Sequence, residues 1–292
     1  MDHDLLGYPV DDGIKLIDKY VEPPFSVIDA RSKRWHNRKR RYLKLGLNGE
    51  LGRSSTALGN SLECNNLSTG CKNYAPNLSV FDPVLCEIIY RWFCPDHGTI
   101  LDPFAGGSTR GFVANYLGYN YTGVDIRAEQ IESNINQVKL ILDSDNMPRW
   151  ICGDSLNVLD TMTDTFDFVF SCPPYGSLEK YSDLKGDISN MTYDLFIDAY
   201  CKIVSKSIRL LKRGAFACFV VSDFRDKKSG AYLGFVKDTI QSFIDSGADL
   251  WNEIILLNAL GTAAMRSDKC MSSSKKVVRV HQHILVFKKR KL

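Results

Sequence analysis

The chain is short of several things. None of its apolar runs approaches the roughly 18–20 residues needed to cross a bilayer, so no membrane partner is expected. Its first residues, Met1-Asp-His-Asp-Leu-Leu6, lack the basic-then-apolar order of a secretory leader. There is no internal repeat and no long low-complexity tract, which leaves out solenoids and repeat arrays. There is no large charge excess either: 37 Lys and Arg against 34 Asp and Glu give a net charge of +3 over 292 residues. Nine cysteines, odd in number and scattered, do not make a disulfide framework and fit a reducing cytoplasm. Cys64, Cys71, Cys86 and Cys94, near His97, are spaced by six, fourteen and seven residues. Structural zinc sites use closer pairs, so no metal is expected. No helix-turn-helix or finger pattern is visible.

What remains is an ordinary globular composition, 44% apolar and 24% charged, in a chain long enough for one α/β domain with an appendage. Residues 1–75 are polar and loop-rich and read as a basic amino-terminal extension; residues 76–292 read as the catalytic domain. Within the extension, residues 31–44 hold eight Lys or Arg and no acid, interleaved with Trp35 and Tyr42. The carboxyl end adds Lys275, Lys276, Arg279, Lys288, Lys289, Arg290 and Lys291. Such clusters on a nearly neutral chain point to a polyanion, with a solvated helix face as the alternative. The candidate nucleic-acid contacts are Arg34, Arg38, Lys39, Arg40 and Arg41.

From Phe81 onward, strands and helices alternate. Asp82-Pro83 caps a helix running to about Phe93. Strands follow at 99–102, 121–126, 149–152, 166–171, 215–221, 250–257 and 283–288. Seven strands alternating with helices predict a doubly wound, mostly parallel sheet whose last strand is antiparallel. In such a sheet ligands bind at the carboxyl ends of the strands. Asp102 to Gly107 is a glycine turn at one such end, and Asp125 ends the next strand, where a carboxylate can grip ribose hydroxyls. The glycines do not follow G-x-G-x-x-G, and Asp102 would repel a pyrophosphate. A cofactor with an ammonium fits better than a dinucleotide.

A second unusual turn is Cys172-Pro173-Pro174-Tyr175, at the end of the apolar run 166–171. Two prolines fix φ and remove two donors. The chain leaves the sheet stiffly, with bare carbonyls and a presented ring, which suits a pocket that accepts hydrogen bonds from an amino group and stacks a planar base.

These motifs resemble those of DNA amino-methyltransferases, the S-adenosylmethionine-dependent enzymes that act on N4 of cytosine or N6 of adenine. Leu101 to Thr109 is similar to their Asp-Pro-Phe-Ala-Gly-Ser-Gly-Thr cofactor motif, with Gly107 and Ser108 in swapped order. The resemblance spans about residues 79–289. It implies a Rossmann-like class I methyltransferase fold and a cofactor-binding set of Asp102, Pro103, Phe104, Ala105, Gly106, Asp125, Ile126, Asp154 and Ser155. Asp102 would orient the methionine ammonium, Asp125 the ribose, and Asp154 would face the adenine amino group. Pro24 to Arg31 ahead of the basic cluster is similar to phage and prophage modification methylases, which implies a place in restriction-modification.

In that family, a side chain and the first proline's carbonyl accept hydrogen bonds from the target amine of a flipped base, and the aromatic ring stacks on it. The implied catalytic set is Cys172, Pro173, Pro174 and Tyr175, with double-stranded DNA as partner. Direct in-line transfer needs no metal and no covalent intermediate. The family has Asp, Asn or Ser where this chain has Cys172, and a thiol is a weak acceptor. Three readings stay open: Cys172 is an adequate acceptor, Ser171 rotates in, or Cys172 adds to a pyrimidine and activates C5. The same motifs would also suit a catalytically silent DNA-binding protein or an RNA methyltransferase, and a homodimer is left open. Residues 176–190 read as a lid or an ordinary surface loop, Asp223 and Arg225 as base contacts or a salt bridge, and residues 261–276 as a DNA-contacting or partly disordered loop.

Overall fold

The apolar segments become a sheet buried on both faces. A computed structural model describes residues 16–48, 81–142, 146–176, 184, 186–226 and 228–291. In chain order the strands are β1 (Val27–Asp29), β2 (Thr99–Asp102), β3 (Asn120–Asp125), β4 (Arg149–Cys152), β5 (Phe166–Ser171), β6 (Leu211–Val221), β7 (Ala248–Leu257) and β8 (His281–Lys289). The helices are α1 (Leu16–Tyr20), α2 (Lys33–Lys44), α3 (Pro83–Phe93), α4 (Thr109–Tyr116), α5 (Ala128–Ile141), α6 (Ser155–Thr161), α7 (Tyr193–Leu210), α8 (Phe235–Asp245) and α9 (Ala263–Ser274). The sheet order is β1-β7-β8-β6-β5-β2-β3-β4, parallel throughout except where β8 pairs antiparallel with β6 and β7. This is the Rossmann-like arrangement expected. No helix among the described residues is long and apolar enough to cross a membrane.

Local chemistry explains where elements begin. Asp82 caps α3, its side chain accepting the Val84 N–H at 2.9 Å, with Pro83 in the first turn. Asp154 does the same for α6 through Leu156, also at 2.9 Å. In α5, Ile131 and Val138 fall on one face and are buried in the core beneath the sheet.

The eighth strand is a correction. Residues 16–48, expected within a loop-rich extension, supply a strand: β1 extends the sheet beside β7, with Asp29 opposite Leu257. Helix α2 turns Trp35 and Tyr42 inward, 1% and 4% exposed, into the core cluster that also holds Ile88 of α3. A buried aromatic removes roughly 150–250 Å² from water, worth about 4–6 kcal/mol at 25 cal/mol per Å² before entropy. Two such rings hold a helix whose remaining positions are mostly charged. The rest of the extension, residues 1–15 and 49–75, lies outside the described residues.

Candidate active site

Because seven strands run one way and only β8 opposes them, the carboxyl ends of β1 to β7 share one edge. A cleft of about 800 Å³ opens along it. On the β2–β3–β4 side it is lined by the glycine turn. Gly106 has φ +52, and a methyl added there would meet no atom within 4 Å, so its backbone faces open space. Its N–H donates to Asp125 Oδ2 at 2.8 Å and its carbonyl accepts from Asn134 Nδ2 at 2.8 Å. Asp125 Oδ1 also accepts the Arg127 N–H at 2.8 Å. Burial raises the Asp125 carboxyl above its ordinary value, against the opposing pull of Arg127 and the two N–H donors. Ser155 donates to the Pro103 carbonyl at 2.6 Å, tying the start of α6 to the turn. Pro103, Phe104, Gly106, Asp125, Ile126, Asp154 and Ser155 all line the cleft.

Two members of the expected cofactor set do not. Ala105 has no exposed surface; its N–H donates to the Val124 carbonyl at 2.9 Å and its methyl packs against Gly123. Asp102 also has no exposed surface and is saturated from within. Its Oδ1 accepts from the Phe104 N–H at 3.1 Å and the Ser171 hydroxyl at 2.6 Å, and its Oδ2 from Arg110 Nε at 2.5 Å and the Tyr121 hydroxyl at 2.7 Å. Arg110, on the first turn of α4, also donates to the carbonyls of Phe104 and Ala105 and lies 4.7 Å from the Phe81 ring centroid. Burial opposes the Arg110 charge, but Asp102 beside it holds the guanidinium above its ordinary pKa. Asp102 therefore braces the turn from beneath, with both oxygens taken up within the chain.

The same contact settles which side chain leaves β5 toward the cleft. Ser171 points down to Asp102 and is fully buried, so alternation along the strand turns Cys172 the other way. Cys172, Pro173, Pro174 and Tyr175 all line the cleft. The Tyr175 ring packs against Phe224 and Phe235, with centroids 6.5 and 6.3 Å away. Its hydroxyl accepts from Gln282 Nε2 at 2.8 Å and lies 3.7 Å from Cys172 Sγ. Gln282 Oε1 in turn accepts from Asn258 Nδ2 at 3.3 Å. Sequence reasoning missed both amides. The available signal was Gln282, a polar side chain opening an apolar strand.

The five candidate nucleic-acid contacts of α2 divide by face. Arg34 pairs with Glu22; Arg38 makes a two-pronged pair with Glu87 at 2.5 and 2.6 Å; Lys39 reaches Asp82 at 2.9 Å. Glu87 also accepts from the Tyr42 hydroxyl at 2.9 Å. Burial alone would raise its carboxyl, but Arg38 and Tyr42 hold it below the ordinary range. Arg40 and Arg41 point outward and are exposed. Lys39 lines the cleft as well, together with Trp35.

The remaining expectations fall as follows. Most of the supposed lid, including 177–183, lies outside the described residues, while Gly186, Asp187 and Ile188 line the cleft. Cys64 and Cys71 also lie outside; Cys86 and Cys94 are buried with α3. Asp223 lines the cleft and accepts the Val236 N–H at 3.3 Å, whereas Arg225 stacks on Tyr232 at 3.8 Å, so the two do not form a salt bridge with each other.

The family model for the Eco57I restriction-modification methylase matches residues 59–251, more than half of the chain. The protein belongs to this family. No curated protein matches the chain. Among solved structures, it is similar to TrmN from Thermus thermophilus, at 13% identity over 72% of this chain and 49% of that one, with a TM-score of 0.48. A methyltransferase from Pyrococcus furiosus is similar at 16% identity over 87% and 98%, TM-score 0.47. The magnesium protoporphyrin IX methyltransferase of Synechocystis PCC 6803, solved with bound S-adenosylmethionine, is similar at 12% identity over 65% and 69%, TM-score 0.40. The chain spans about half the length of TrmN. At such identities the likeness says nothing about substrate.

Proposed function

We propose that the protein transfers a methyl group from S-adenosylmethionine to the exocyclic amino group of adenine or cytosine in double-stranded DNA, within restriction-modification. The observation that carries this reading is the convergence of the Gly106 turn and the Cys172–Tyr175 turn on one cleft. The open backbone at Gly106 and the Asp125 and Asp154 carboxylates fit a cofactor with an adenosyl group and an amino-acid tail. That cofactor supplies a methyl on a positive sulfonium, with no phosphates for acidic residues to repel. Asp125 grips the ribose and Asp154 faces the adenine edge.

On the other side, Tyr175 stacks on a base turned out of the duplex, since chemistry on a stacked base is out of reach. The Pro173 carbonyl accepts one amino hydrogen and the Cys172 sulfur the other. Together they draw the nitrogen lone pair out of conjugation and aim it in line. With Ser171 committed to Asp102, Cys172 is the side chain that takes this place.

Methyl transfer from labelled S-adenosylmethionine to duplex DNA tests the assignment. Cys172→Ser should keep or raise activity, and Tyr175→Ala should lower it on the order of a hundredfold, losing the stacked base. If Cys172→Ser instead abolishes transfer to a pyrimidine, Cys172 is a C5 nucleophile and the amino-group reading falls.

A further inference from the structure

The 258–280 segment enters and leaves at the cleft: Asn258 at one end and Arg279 at the other both line it. Between them stands α9, read from the sequence as a polar loop. Only Ala263 of its twelve residues is buried, and Met265 is 79% exposed. Its N-cap Thr262 makes no side-chain cap bond. An isolated helix of that length is marginal in water, so among the described residues α9 has little to hold it and a wide surface to offer a partner.

The charge of that surface is one-sided. Residues 263–279 contain Arg266, Lys269, Lys275, Lys276 and Arg279 against Asp268 alone. Arg266 and Lys269 are exposed, one turn apart on the helix. The root of the segment is braced: Arg225 and Arg279 both lie over the Tyr232 ring, at 3.8 and 4.9 Å, and Lys276 rests against Gly230. Arg279 Nη1 lies 3.4 and 3.3 Å from the ring nitrogens of His281 and His283. The placement is equally specific. Asp29 pairs in register with Leu257, so the chain leading into α2 and the segment bearing α9 spring from adjacent strand ends. Both lie on the edge that carries Cys172 and Tyr175.

We propose that α9 is the element that enters a groove of the DNA duplex beside the base being modified, with Arg266 and Lys269 on the phosphates or base edges and the Arg225–Tyr232–Arg279 stack fixing its root. The major groove, about 12 Å wide, admits an α-helix, and an exposed helix that carries Arg266 and Lys269 suits a polyanion that supplies further packing. This inference rests on the methyl-transfer reading above.

The test is the binding of a fluorescein-labelled random-sequence DNA duplex to the full chain and to Arg266→Glu/Lys269→Glu, across a range of salt. Calorimetric titration of S-adenosylmethionine serves as the control for folding. The double variant should bind the duplex roughly tenfold or more weakly, with a salt slope lower by about 2, at about 0.9 per lost phosphate contact, and unchanged cofactor affinity. A second variant, with residues 261–274 replaced by a short Gly-Ser link, should show the same loss. If the wild type binds duplex and both variants bind it equally well, this inference falls and the functional reading stands. If the wild type ignores duplex and binds single-stranded RNA, both fall.

Discussion

Asp102 and Asp125 close neighbouring parallel strands at the same edge of the sheet, and both carry carboxylates toward the same turn. Their fates differ. Asp102 is fully buried and holds Arg110, Tyr121, Ser171 and the Phe104 N–H, so each oxygen is already occupied by two donors. Asp125 takes one backbone N–H per oxygen and a looser ion pair from Arg127 Nε at 3.6 Å, keeps 12% of its side chain exposed, and lines the cleft. Position at a strand end is therefore not enough to identify a ligand-binding carboxylate. The number of donors the chain already points at each oxygen distinguishes a carboxylate used up within the fold from one with room for a ligand.

The largest effect should come from removing the Asp102 brace. Asp102→Ala leaves Arg110 buried without its partner, and stability to urea should fall by about 3–5 kcal/mol. Replacing the pair together, Asp102→Leu with Arg110→Met, should cost less than the single change. If Asp102→Ala unfolds at the wild-type midpoint but loses cofactor, Asp102 is a ligand after all.

Asp125→Asn inverts the pattern. Stability should fall less than with Asp102→Ala, because relief of the burial penalty offsets the one backbone N–H that the amide leaves without an acceptor, while S-adenosylmethionine affinity should fall about tenfold, the loss of one hydrogen bond to a charged group. Calorimetric titration beside a melting curve separates the two. The pH dependence sharpens the contrast further. Since burial raises Asp125, it takes up a proton at a higher pH than an exposed aspartate. Cofactor binding should weaken as the pH falls through that raised value, while the same protonation adds stability by relieving the burial penalty. Asp125→Asn should flatten the binding profile.

The smallest effects separate the two faces of α2. Arg38→Ala should destabilise the fold by taking the two-pronged partner from buried Glu87, which keeps Tyr42 at 2.9 Å and Arg91 at 3.2 Å. Because Glu87 is held below the ordinary carboxyl range, its contribution is complete above that range and is lost as the pH falls through its lowered value. Arg40→Ala with Arg41→Ala should leave melting unchanged and weaken duplex binding severalfold, more so at low salt.

Much of this architecture was legible in the sequence. Strand and helix period, the Asp82-Pro83 cap and the two turns at strand ends are local signals, and each marked an element that the structure contains. The place of the Cys172–Tyr175 turn at the end of β5 was readable for the same reason: prolines dictate their own backbone. What escaped depends on contacts distant in sequence. Nothing near Arg38 announces Glu87, 49 residues away, and nothing near Asp102 announces Ser171, 69 residues away. β1 escaped because three residues cannot establish a period, and α9 because its polar, serine-rich sequence has almost no buried stripe.

Amino-group methylation of a DNA base is tested most directly by mass spectrometry of nucleosides from DNA of cells expressing the protein, beside a Tyr175→Ala control. N6-methyladenine or N4-methylcytosine, as deoxynucleosides, should be present with the wild type and absent from the control. A C5-methylated pyrimidine in their place, or no modified base at all, would contradict that chemistry.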